Sequence, residues 1–260
     1  MRKVIIFAGL MLFVTGVAGI CHAAAIGPVE PLGPLKVSIG PEYNSTSGRD
    51  LDKASDTDLT GGEVKASNQP YLEISLGIGN HANAYTRFGA ANLEQRLDWS
   101  NGRNQTIKYD YGFLWGLGGN YLFDIGNNFG IGGDAQFNTW ACDARSISGS
   151  NDTFFTEKGS MRAYEYQVAA YITYKQDVGV DSNLIPYLGG YYTYFKINTG
   201  KDNKFEDNDY GYINEGSIKG RDKFGVLAGC DMKASEHLYI KLQGRFIAET
   251  AGTIGVSCRY

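Results

Sequence analysis

Only three histidines occur in the 260 residues, His22, His81 and His237. General acid–base catalysis, or activation of a serine or cysteine, needs such a group beside a carboxylate or nucleophile. His22 lies in an apolar N-terminal run, and His81 and His237 lie in short Gly/Asn/Ser turns, so no catalytic constellation forms and no enzymatic activity is expected. The acidic stretch GKDNKFEDNDYGYINEG carries Asp202, Glu206, Asp207, Asp209 and Glu215, an oxygen-rich set of the kind that holds calcium. Its spacing lacks the glycine and closing glutamate of an EF-hand, so it reads as a solvated loop. The stretch with Arg49, Asp50, Asp52, Lys53, Asp56 and Asp58 reads the same way. Cys142, Cys230 and Cys258 have no metal-ligand spacing and read as small strand residues, with one unassigned disulfide open in an oxidising compartment. No metal and no cofactor are expected.

A second set of charges recurs at every other position of alternating segments: Lys36, Glu42, Glu73, Asp134, Glu165, Lys175, Asp231, Lys233, Lys241, Arg245 and Arg259. If those segments are strands of one closed sheet, these side chains share its interior. Isolated buried charges are prohibitively costly, so they must pair or line water. The favoured expectation is a salt-bridged polar plug, with Lys241 and Arg245 meeting Asp231, Glu165 or other carboxylates across the lumen. The alternative is a small hydrophilic pore.

The elements that position these residues follow from a period of two. Ten segments alternate, at about 35–45, 69–79, 84–97, 109–124, 128–143, 162–177, 184–198, 222–234, 237–249 and 252–260. In 237–249, Leu238, Ile240, Leu242 and Phe246 oppose Tyr239, Lys241, Gln243 and Arg245. In 84–97, Phe88 and Leu93 demand opposite faces, and a bulge is expected between them. Short turns alternate with longer polar loops near 46–68, 98–108, 144–161 and 199–221; only the link around Thr250 breaks the pattern. Glycines crowd the polar faces (Gly112, Gly116, Gly118, Gly132, Gly225 and Gly229 among them), as a narrow lumen filled with long side chains requires. The expected fold is all-β: a single up-and-down antiparallel transmembrane β-barrel of ten strands, with eight or twelve as alternatives.

Met1, Arg2 and Lys3, the apolar run to Ile20 and the Ala23–Ala24–Ala25 triplet read as a signal peptide, cleaved so that 1–25 is leader and 26–260 the barrel domain. Ile20, directly before Cys21, is not a lipobox residue. Without Arg2 and Lys3 the 24 basic residues fall to 22 against 28 acidic ones, a charge of −6 that argues against nucleic acid as a partner. The C-terminal GTIGVSCRY alternates strictly and ends on Tyr260, like the closing strand of an outer-membrane barrel. Together with YLEISLGIG, AYTRFGAANLE and LIPYLGGYY, these features resemble the opacity-type and small porin-like bacterial outer-membrane β-barrel superfamily. That family commonly has eight strands; the ten read here depart from it. The resemblance implies an outer-membrane location, lipid as surroundings, and insertion through the barrel-assembly machinery with Tyr260 as the C-terminal signal. The long polar loops, with no catalytic constellation to compete, make a structural or adhesin-like role in which the loops meet an extracellular ligand the expected function, with a narrow channel as the alternative and an outer-membrane hydrolase as the remote one. Neither the ligand nor the oligomeric state is written in these residues.

Overall fold

A strand with alternating apolar and polar side chains has one dry and one wet face, and a sheet of such strands has exposed edges unless it closes on itself. In the computed structural model of the protein it closes. Residues 25–52, 59–100, 102, 104–149, 153–155, 159–179, 181–199 and 217–260 are described. The leader read at 1–25 (Ala25 excepted) and the acidic stretch at 200–216 lie outside them. The strands are β1 (Val37–Ser47), β2 (Arg49–Leu51), β3 (Leu59–Ile78), β4 (Ala82–Trp99), β5 (Asn104–Gly126), β6 (Phe129–Gly149), β7 (Thr153–Phe155), β8 (Ser160–Tyr174), β9 (Gln176–Gly179), β10 (Ser182–Thr199), β11 (Ser217–Lys219), β12 (Phe224–Lys233), β13 (Leu238–Phe246) and β14 (Thr250–Arg259). The ten long ones pair antiparallel in chain order, and β1 pairs with both β3 and β14, which closes the ring. The short strands β2, β7, β9 and β11 pair with β3, β6 and β10. The expected ten-stranded antiparallel barrel is therefore the fold, with a strand over each expected segment.

Four turns gather at one end of the barrel, together with the start of β1 and the end of β14; this is the turn end. In the β5–β6 turn, Gly126, Asn127 and Asn128 all adopt positive φ, which Gly and Asn tolerate best. At the opposite, loop end the strands run further than the sequence pattern suggested. The stretch 98–108 is mostly strand, because β4 continues to Trp99 and β5 begins at Asn104. Likewise β6 runs on to Gly149 and β8 begins at Ser160, which shortens the loop read at 144–161. β3 begins at Leu59, and Arg49–Leu51 form β2, within what was read as a solvated loop.

The cause is an environmental switch along each long strand. On β5 the outward side chains Tyr111, Phe113, Trp115, Leu117, Tyr121 and Phe123 are 39% to 63% exposed. At ~3.3 Å per residue and a tilt of ~40° they form a band roughly 30 Å tall, the thickness of a hydrocarbon core. Beyond this band the polarity inverts. On β4 the outward residues become Asn92, Glu94, Arg96 and Asp98, while Leu93 and Leu97 turn inward and are buried. Phe88 and Leu93 thus occupy opposite faces with no extra residue in β4. The extra residue is in β5, where Ala91 pairs with Gly112 but Leu93 pairs with Tyr109.

Candidate functional site in the barrel lumen

The lumen has three tiers. At the turn end, residues 25–34 leave the strand pattern: Gly27, Pro28, Pro31, Gly33 and Pro34 disfavour both helix and strand. Their backbone groups still need partners, and the barrel wall supplies them. Ile26 N donates to Gln243 Oε1 (3.1 Å), Gly27 N to Asp134 Oδ2 (3.0 Å), Val29 N to Asp231 Oδ2 (3.0 Å) and Leu32 N to Asn83 Oδ1 (2.9 Å). In the other direction, Asn83 and Asn120 donate to the Pro28 carbonyl, Lys241 to that of Ile26 and Arg87 to that of Ala25. Glu30 closes the mouth with ion pairs to Lys175 (2.7 Å) and Arg259 (3.2 Å), and the Arg259 guanidinium lies over the Tyr239 ring. Burial pushes the Glu30 carboxyl up. The hydrogen bond from Lys175 and the charges of Arg259 and Lys175 outweigh burial and leave it below its ordinary range.

Above this segment lies a belt of buried charge. Lys241 bridges Glu42 (2.6 Å) and Glu73 (3.6 Å), and Arg87 holds Glu73 through Nε (3.0 Å) and Nη2 (2.8 Å) while its Nη1 reaches Gln136. The Tyr71 hydroxyl donates to Glu42 and that of Tyr85 to Asp134. Nearer the loop end, Arg49 spans Glu165 (2.6 Å) and Glu249, and Arg245 pairs with the same Glu249 (2.8 Å) beneath the Tyr191 ring. The tyrosines fit because glycines face them. Tyr85, Tyr171, Tyr187 and Tyr191 lie opposite Gly118, Gly132, Gly229 and Gly225 across the ladder, and a Cβ at any of these glycines would collide with the ring. The third tier is apolar: Leu93, Leu97, Ile107, Trp140, Met161, Phe195 and Ile197 fill the interior at the loop end, joined by Leu51 from β2 and Ile218 from β11.

Of the eleven charges read as luminal, eight are buried: Glu42, Glu73, Asp134, Glu165, Asp231, Lys241, Arg245 and Arg259. Lys36, Lys175 and Lys233 are corrections. They stand at the turn-end rim, Lys36 and Lys175 exposed just outside β1 and β8, and Lys233 partly exposed at the last ladder pair of β12, where the lumen opens; Lys175 reaches inward, to Glu30. Lys241 and Arg245 meet carboxylates other than the two named, Glu42 and Glu73 for Lys241 and Glu249 for Arg245, and Glu165 is taken by Arg49. Arg49, which read as a solvated loop residue, is 3% exposed. Arg87, Glu249 and Glu30 carry no signal in the charge reading, although Arg87 shares the inward phase of Tyr85. Tyr260 is exposed at the turn end, its backbone paired with Val37 and its ring stacked on His237. His81 and His237 both lie in turn-end connections, and Cys142, Cys230 and Cys258 are free thiols. Among the described residues no three His, Cys, Asp or Glu side chains gather in a way that could hold a metal ion.

No family model and no curated protein matches the chain. Solved structures do. The outer membrane protease OmpT from Escherichia coli superimposes with a TM-score of 0.50 at 10% identity, over 92% of this chain and 99% of that one. OprG from Pseudomonas aeruginosa gives 0.44 at 10% identity, over 90% and 99%. Ail, the attachment invasion locus protein of Yersinia pestis, gives 0.33 at 12% identity, over 87% and 99%. The likeness to OmpT, at 10% identity, is one of fold alone.

Proposed function

We propose that the protein is an outer-membrane barrel with a closed lumen, whose work is done by the polar loops it displays on a rigid pedestal. The observation that supports this reading is that described residues occupy the interior at each of its three levels. Residues 25–34 occupy the turn end, ion pairs the middle and an apolar cluster the loop end. In this orientation the turn end faces the periplasm and the long connections face outward, where recognition by an adhesin-like surface would occur. Lipid surrounds the outer wall, and the terminal strand with Tyr260 engages the assembly machinery. The role is non-enzymatic, with His81 and His237 at the end opposite the loops.

Planar-bilayer recording tests this reading. The purified, heat-modifiable protein should give no steady conductance, and deletion of residues 26–33 should not open it, because the apolar cluster still closes the loop end. Steady, reproducible channels from the unaltered protein would favour the second reading, a narrow porin-like channel. The polar walls of the turn-end half support that alternative.

A further inference from the structure

The turn-end half of the lumen is short of positive charge. Glu42, Glu73, Asp134 and Asp231 are buried there with Glu30 at the mouth, against Arg87, Lys241 and Arg259, and Lys175 reaching in from the rim. Lys241 and Arg87 are committed to Glu42 and Glu73. Asp134 and Asp231 have no cation in ion-pair contact among the described residues. Each spends one oxygen on a backbone N–H of the inserted segment, while its other oxygen, Oδ1, is buried without a hydrogen-bond partner. Two buried carboxylates without a direct ion pair in one compartment call for a further counter-charge.

The inserted segment points to the source. It climbs from the exposed rim at Pro34 to Ala25 and Ile26, both 0% exposed, so the Ala23–Ala24–Ala25 cleavage motif ends where the chain reaches full enclosure. Ile26 N already faces an acceptor, Gln243 Oε1, and the next residue is bonded to Asp134. We propose that the turn-end lumen is a binding site for the protein's own amino terminus. An export-associated endoprotease hydrolyses the Ala25–Ile26 bond, and the new α-ammonium of Ile26 docks as the missing counter-ion of Asp134 and Asp231. In that hydrolysis one water adds across the peptide bond. The carbonyl carbon of Ala25 takes the hydroxyl and leaves as a carboxylate, while the nitrogen of Ile26 keeps its electron pair and takes up protons to become ammonium. Arg87 loses the Ala25 carbonyl but keeps Glu73 and Gln136. Processing thereby completes the seal of the barrel, whatever the loops recognise.

The test uses the full gene expressed with its own leader, the barrel isolated in detergent and its fold verified by the heat-modifiable gel shift. Mass spectrometry should find Ile26 as the first residue. A water-soluble amine-acylating ester near neutral pH reacts preferentially with α-amines. It should acylate Ile26 at least about tenfold more slowly in the folded barrel than after heat denaturation. Folded Asp134→Asn and Asp231→Asn variants should lose part of that protection. A different first residue, or equal labelling of folded and denatured wild-type protein, overturns the proposal even if neither variant folds. Unchanged protection in both folded variants overturns the counter-ion role.

Discussion

Glu249 is the residue on which the loop-end charges converge, since Arg49 and Arg245 both reach it and all three are at most 3% exposed. Removing one partner of a buried pair leaves the other charge stranded, at a cost of about 3–5 kcal/mol. Glu249→Ala should therefore lower the unfolding free energy by that order, whereas Glu94→Ala, which breaks only the exposed pair with Lys108, should cost ~0–1 kcal/mol. Urea unfolding in detergent compares the two, and equal losses would disprove the buried belt. Glycine gives a sharper contrast within one dipeptide. A Cβ at Gly132 would enter the Tyr171 ring, while at Gly133 its nearest neighbour is 3.7 Å away. Gly132→Ala should cost about 1–3 kcal/mol by overpacking, and Gly133→Ala should be near neutral. A thermal-shift series that reversed this order would refute the fit of tyrosine against glycine.

Elements were legible wherever alternation was strict, and that covers β8, β13, β14 and most of β5. What sequence could not show was where a strand changes its surroundings. In β4 the apolar residues change face between Phe88 and Leu93, which reads as a defect until the interior beyond the band proves to be apolar. Arg49 and Glu249 were missed for a related reason, because each follows a strand end where the parity argument stops. The inserted segment gave no periodic signal, since GPVEPLGP suits neither helix nor strand; it is defined by its bonds to the wall, with Asn83, Asn120, Asp134, Asp231, Lys241 and Gln243 among the partners. Its stability should depend on pH through Glu30. The folded carboxyl titrates below its unfolded range, so its contribution is complete above the unfolded pKa and is lost as pH falls through the folded one. Glu30→Gln should thus lower the melting temperature at neutral pH, with the difference from wild type shrinking to nothing on the acid side of the carboxylate range. A difference that persisted or grew on acidification would contradict the ion pairs at the mouth.

For the whole molecule the consequence is two barrels in series on one set of strands. The turn-end barrel is inside-out, apolar without and charged within; the loop-end barrel has the ordinary arrangement of a water-soluble protein. Such a chain fits only one depth in a bilayer, because sliding outward would expose Phe88, Phe113 and Tyr166 to water and sliding inward would bury Glu94, Arg96 and Lys108 in hydrocarbon. Each charge drawn to the midplane costs roughly 2–4 kcal/mol, falling to about 0–1 near the interface, so a few such residues fix the position against thermal motion. Single cysteines along the outward face of β4, in a background with Cys142, Cys230 and Cys258 replaced, make this measurable. Positions 84, 86 and 88 should resist a charged maleimide in proteoliposomes and quench with a lipid-soluble spin probe. Positions 92, 94 and 96 should react with the maleimide and ignore the probe. The change must fall between Phe88 and Asn92, next to the point between Ala91 and Leu93 where the register of β4 against β5 shifts. A uniform profile across all six positions would mean that the strand has one environment, and that its apolar loop-end interior does not lie beyond the membrane.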